Sequence, residues 1–144
     1  MKKIIIIILC VLSFNSYSQT ITKTIKDIDL GNLTVYFKME VKSKSDTTYR
    51  LIYCWSNEEY SSIDDVQCQH HYTNSEIKGM ITTLNSCMNY IGEGVDYNIS
   101  KVGFDFGVYD WSDELYLRKE NKYVTLTKSQ INKLTSFLSK VQFS

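Results

Sequence analysis

The stretch LTVYFKMEV, residues 33–41, alternates apolar Leu33, Val35, Phe37, Met39 and Val41 with polar or amphipathic residues. A period of two predicts a half-buried strand with one wet face. Asp29-Leu30-Gly31-Asn32 supplies a turn before it, and residues 43–46 supply another after it. Further strands are expected over 47–55, 97–109, 115–118 and 123–126. The one over 97–109 is expected to break near Ser100-Lys101 or bulge at Gly103, and Glu120-Asn121 reads as a turn.

The period changes in TNSEIKGMITTL, 73–84, and again in TKSQINKLTSFL, 127–138. Apolar residues now recur every three or four positions: Ile77, Met80, Ile81, Leu84, Met88 and Ile91, then Ile131, Leu134, Leu138 and Val141. Each set is the buried stripe of a helix, with Cys87 and Phe137 beside the two stripes. Thr73 with Glu76, and Thr127 with Gln130, are capping boxes. Tyr72 with Ile77, and Leu126 with Ile131, are hydrophobic staples. The helices should therefore begin at 73 and 127. Gly92 and Gly94 should close the first.

The two helical segments match at an offset of 54 residues. A second match precedes them. YCWSNEEY, 53–60, returns as YDWSDELY, 109–116, at an offset of 56. Two matches in the same order indicate an internal repeat, about 33–92 and 95–142. By that repeat, 66–72 should be the strand matching the one before the second helix. The expected fold is α+β: a duplicated unit of antiparallel strands followed by one helix, with both helices packed on one face of antiparallel sheet.

The tryptophan echo has two readings. With strands on both sides, 56–59 and 112–115 become hairpin loops whose Ser, Asn and Asp bond their own backbone. Trp55 would then stand opposite Tyr60, and Trp111 opposite Tyr116, as aromatic cross-strand pairs. This accounts for every shared residue except Glu58 and Glu114. The functional reading is a duplicated aromatic–acidic site made of Trp55, Glu58, Tyr60, Trp111, Glu114 and Tyr116. Tryptophan and tyrosine beside a carboxylate can stack on a sugar ring or hold a cation.

The N-terminus looks like an address rather than a fold element. Met1-Lys2-Lys3 precedes an apolar run from Ile4 to Leu12, with small residues at Ser16 and Ser18. This is the layout of a signal peptide, 1–18, cleaved after Ser18. The run is shorter than the roughly 20 residues that span a bilayer, so a retained anchor is the lesser alternative. Leu9 is bulky where a lipoprotein signal with Cys10 needs a small residue. The signal resembles those of exported proteins of Bacteroidetes-type Gram-negative bacteria, which implies a periplasmic or secreted location. Asp46-Thr47-Thr48 resembles the short O-glycosylation sequon of such bacteria, which would place that turn on the surface.

The remaining chain, 19–144, suits one domain with a real core. Loss of Lys2 and Lys3 leaves 14 of the 16 basic residues against 16 acidic ones, a formal charge of −2. No block of like charge implies a nucleic acid or an anionic membrane. Cys54, Cys68 and Cys87 remain, an odd number with no CxxC, read as one disulfide plus a buried thiol or three buried thiols. Cys87, on the helical stripe, reads as a packed thiol.

Catalytic candidates are thin. Cys68, His70 and His71 resemble metal ligands, but strand neighbours point to opposite faces, leaving Cys68 and His70 where zinc needs three or four donors. SEIK, 75–78, resembles the S-x-x-K of penicillin-recognising serine enzymes. No K-T-G follows, and the repeat copy SQIN lacks the lysine. Ser75 reads better as a first-turn helix residue. No catalytic residue, metal or cofactor is assigned. The expected function is a small exported binding or interaction domain for a protein, peptide or glycan. The alternative is a small extracytoplasmic hydrolase acting on cell-wall or nutrient polymers, which would need His70, Asp105 and a second carboxylate in one pocket.

Overall fold

The computed structural model describes residues 20–43, 46–56, 64–70 and 72–141, with the backbone alone of Ser43, Ser56 and 64–70. The expected signal peptide, 1–18, lies outside the described residues. No helix among those described is long and apolar enough to cross a membrane.

Four strands come first: β1 (Ile21–Asp29), β2 (Leu33–Ser43), β3 (Asp46–Ser56) and β4 (Asp64–His70), followed by α1 (Asn74–Met88). The order then repeats: β5 (Tyr97–Lys101), β6 (Phe104–Val108), β7 (Leu115–Lys119), β8 (Lys122–Leu126) and α2 (Lys128–Leu138). Each set of four strands is an antiparallel meander whose spatial order is its sequence order. The chain is thus α+β, with a strands-then-helix unit used twice. The repeat lies in two separate sheets rather than one. The helices pack against each other, α1 also meeting β5 and β6, and α2 meeting β8.

Both helices start where the capping boxes place them. Thr73 N–H donates to Glu76 Oε2 at 2.7 Å, and Glu76 N–H donates to Thr73 Oγ1 at 3.2 Å. In the second unit Thr127 N–H donates to Gln130 Oε1 at 2.9 Å, and Gln130 N–H to Thr127 Oγ1 at 3.3 Å. These bonds satisfy amides that the first turn leaves without helical partners. All four staple residues, Tyr72, Ile77, Leu126 and Ile131, are buried. The α1 helix ends before the glycines, at Met88. The stripe nonetheless runs on to buried Ile91 through a turn with Gly92 and Gly94 at φ +79° and +67°.

One core joins the two units. Alternate residues of β2 and β3 point into it, including Val35, Phe37, Leu51 and Tyr53. The second sheet adds Phe104, Phe106, Leu115, Leu117 and Leu126, and the helices add Met80, Leu84, Ile131 and Leu134. Phe104 is the seam: its ring lies 5.0 Å from that of Tyr53, edge-on, and 6.2 Å from that of Trp55, stacked. The Tyr53 hydroxyl donates to Met80 Sδ at 3.1 Å. At the surface Asn32 Nδ2 donates to the Thr125 carbonyl at 2.8 Å, and in a partly buried position Gln130 Nε2 donates to the Leu30 carbonyl at 2.7 Å. The β1–β2 turn is thereby fastened to β8 and to the cap of α2.

Two features go beyond the expectations. The β1 strand, Ile21–Asp29, lies ahead of residue 33, where the repeat is expected to begin. A bulge at Ile25 shifts the β1–β2 register between Thr24 and Lys26, so Ile21 and Ile28 oppose Val41 and Val35 on one face. Apolar positions seven apart cannot share a face of an unbroken strand, so the pattern of two is lost in the sequence. The break expected in 97–109 falls at Val102-Gly103, so the segment is a hairpin of β5 and β6. Val102 and Gly103 form its two-residue turn at φ +52° and +76°, the pair of positive angles a type I′ turn requires.

Candidate functional site

The outer face of the second sheet carries two rows of side chains at directly paired positions. Ser100, Asp105, Arg118 and Tyr123 form one row across β5 to β8. Asn98, Gly107, Tyr116 and Thr125 form the other. The alternation that buries Phe104, Phe106, Leu115 and Leu117 necessarily turns Asp105, Gly107, Tyr116 and Arg118 outward.

The loop between β6 and β7, residues 109–114, folds back over this face. Asp96, just ahead of β5, accepts the Asp110 N–H at 2.9 Å. Ser112 N–H donates to the Tyr109 carbonyl at 3.0 Å, closing a β-turn, and Ser112 Oγ accepts the Glu114 N–H at 3.2 Å. Serine thus folds this loop in the way expected of it.

The result is an aromatic cluster. Tyr109 and Trp111 stack with centroids 5.5 Å apart and planes 10° apart. Tyr116 meets both edge-on, at 5.1 and 5.7 Å, and Tyr123 continues the series 5.8 Å from Tyr116. Gly107 makes room: a Cβ there would sit 2.9 Å from Asn98 Oδ1 and 3.3 Å from the Tyr109 hydroxyl. Trp111 is 71 % exposed and Tyr123 58 %, so wide ring surface faces water.

Beside the rings lies a polar network. Ser100 Oγ donates to Asp105 Oδ1 at 2.5 Å. Arg118 donates through Nε and Nη2 to Asp105 Oδ2 at 3.3 and 3.2 Å. The serine bond first, and then the guanidinium, hold the Asp105 carboxyl below its ordinary value of 3.8. Rings and network together line a cleft of about 470 Å³. That is within the range of small-molecule sites, roughly 300–1,000 Å³. Asp105 is the one carboxylate among its lining residues.

The structure separates the residues of the tryptophan echo. Trp111 and Tyr116 line the cleft and touch, although Trp111 reaches Tyr116 from the loop: Gly107, not Trp111, pairs with Tyr116. Glu114 is half-buried and does not line the cleft. Trp55 is a core residue, 3 % exposed. Its partner across β3–β4 is Asp65 rather than Tyr60, because residues 57–63 lie between the paired Ser56 and Asp64. Glu58 and Tyr60 lie outside the described residues. The two copies of the motif also occupy different hairpins, third-to-fourth strand in the first unit and second-to-third in the second. The echo is therefore not a symmetry-related pair.

Among the described residues no three His, Cys, Asp or Glu side chains gather as a metal site. The side chains of Cys68 and His70, and all of His71, lie outside that description. Ser75 is exposed in the first turn of α1, beside its capping box. Cys87 is fully buried on α1, and burial pushes its thiol up to about 11. A second, shallower groove lies between β1 and α2, edged by Asp27, Lys133 and Lys140.

Sequence reasoning missed Ser100, Arg118, Tyr123 and Gly107 as site residues. The available signal was the alternation in FDFGV and LYLRK, which fixes what points away from the core. Compared with known proteins, the chain matches no family model, no curated protein and no solved structure.

Proposed function

We propose that this chain is a small exported binding domain, and that its ligand sits in the cleft on the outer face of the β5–β8 sheet. The observation that carries the reading is Trp111. A large apolar ring, 71 % exposed, is held over the sheet by an ordered loop rather than folded into the core. Exposed aromatic surface beside converging polar groups is the composition of a recognition site. The polar groups suit recognition better than chemistry. A general acid needs a carboxyl that holds its proton near the working pH, and Asp105 is shifted the other way.

The test uses the mature chain, 19–144, displayed against glycan and peptide arrays, with Trp111→Ala beside the wild type. The expected result is retention of a ligand by the wild type, loss in the variant, and unchanged melting of both. Equal capture by both proteins would remove the cleft from the reading. Release of cleaved product from a captured polymer would replace binding with hydrolysis.

A further inference from the structure

The ligand class can be narrowed further, on the premise that the cleft is the binding site. We infer that it takes a neutral glycan, with the face of a sugar ring on Trp111 and a pair of neighbouring hydroxyls on Asp105 and Arg118. A cation is the first rival, because aromatic rings beside a carboxylate attract cations. Two observations count against it. The rings contact one another at 5.1–5.8 Å, so no gap is left between them for an enclosed ammonium. The carboxylate is already paired with Arg118, which brings its own positive charge into the cleft.

The ion pair is suited to hydroxyls. The Arg118 guanidinium has five N–H donors in a planar fork, and its bonds to Asp105 all end on Oδ2. The Asp105 carboxylate accepts from Ser100 on Oδ1 and has lone pairs remaining. An adjacent acceptor and donor, fixed against each other, match two neighbouring hydroxyls. One hydroxyl donates to the carboxylate and the other accepts from the guanidinium. Both groups stay partly in water, with side chains 45 % and 59 % exposed, so binding a neutral hydroxyl pair leaves the charges compensated. A free anion would have to compete with Asp105 for the guanidinium.

The apolar half of the match is the ring surface. One face of a pyranose presents C–H groups, which pack flat on an indole. Trp111 offers that surface at the cleft wall, and Tyr123 stands at the far end of the Asp105–Arg118 row. Four strands at about 4.8 Å spacing give this row a length of roughly 14 Å. That length accommodates a short oligosaccharide rather than a single sugar.

The experiment titrates the mature protein with uncharged oligosaccharides chosen from the glycan array, following Trp emission and heat of binding. Tetramethylammonium and an array-selected peptide are titrated in parallel. We expect saturable oligosaccharide binding, weakened about tenfold or more by Trp111→Ala, with unchanged melting, and by Asp105→Ala, with a melting transition that is lower but still cooperative. Binding should persist in moderate salt, since a neutral ligand has no net charge to screen. A silent glycan array overturns the inference. If a peptide or tetramethylammonium binds instead and Trp111→Ala abolishes it, the cleft stands and the glycan fails. If an oligosaccharide binds and neither variant weakens it, the cleft itself fails.

Discussion

Replacing Gln130 with a glutamate keeps the capping box of α2 and removes one of the two hydrogen bonds that fasten the β1–β2 turn to the second unit. The Gln130 side chain serves both ends: Oε1 accepts from Thr127 at 2.9 Å, and Nε2 donates to Leu30, a hundred residues away, at 2.7 Å. Since Thr127 N–H can only donate, the amide has one orientation that satisfies both. A carboxylate keeps the first bond and cannot make the second. It also places a charge against the Leu30 carbonyl oxygen. Losing one partner of a part-buried bond costs about 1–3 kcal/mol. A negative charge in the first helical turn returns about 0.3–1 kcal/mol. The two ranges leave a net loss of about 0–2.7 kcal/mol at pH 7, which the repulsion from the Leu30 carbonyl oxygen keeps above zero, and a drop in melting temperature of up to about 11 °C for a domain of this length. Urea denaturation of residues 19–144 measures it, with an unchanged slope. A protonated carboxyl can donate again. The variant's deficit should therefore shrink as pH falls and the introduced carboxyl takes up its proton. A Gln130→Glu protein as stable as wild type at pH 7 would refute the claim that this bond fastens the units.

Other outcomes follow from single contacts. Cys87 should resist iodoacetamide at pH 8 in the native protein and react once unfolded, as peptide mass mapping would report; rapid native labelling would contradict its burial and its thiol pKa of about 11. Gly79→Ala should stabilise by about 0.5–1 kcal/mol, because the new methyl meets only Val102 Cγ2, at an ordinary 3.9 Å, in a helix interior; a lower melting point would show that the helix cannot accept it. Gly107→Ala should displace Asn98 and Tyr109, shifting their NMR signals and the Trp111 emission; unchanged spectra would mean the cleft does not depend on this close approach. The lowered pKa of Asp105 means its stabilising contribution is complete above pH 3.8 and lost as pH falls through the depressed folded value. Asp105→Asn should flatten that part of the acid limb, and identical acid limbs in denaturant titrations would contradict it.

The parts of the fold visible in the sequence were those whose cause is local. A capping box is complete within four residues, so Thr73 and Thr127 announced their helices without any knowledge of the sheets. The β2 strand was visible because its period of two is unbroken through 33–41. The β1 strand was hidden because its bulge falls between Ile21 and Ile28 and changes the phase. The cleft was hidden for a different reason. Alternation says that Asp105 and Arg118 point outward, but their meeting depends on the β6–β7 register, and their meeting with Ser100 on the β5–β6 register. That register depends in turn on the Val102-Gly103 turn, where a β-branched residue takes a positive φ that sequence alone would not assign to it.

The tryptophan echo shows how one local pattern acquires two roles. Trp55 still belongs to β3, whose inner face meets Phe104 and, through Tyr53, Met80 of α1, so its ring is held in the core. Trp111 falls three residues past the end of β6, where the chain has left the core and Asp96 and Ser112 fix its path. Burial was decided by where each strand ends, and the shared letters do not encode that. The two residues are nonetheless linked. The β6 strand begins at Phe104, which packs on Trp55, and runs straight to the loop that carries Trp111. The buried tryptophan helps to hold the strand from which the exposed one projects, so a single-copy platform gains a rigid base. A duplicated site would have needed Trp55 on the surface, and the core would then have lost one of the two first-sheet rings that Phe104 packs against.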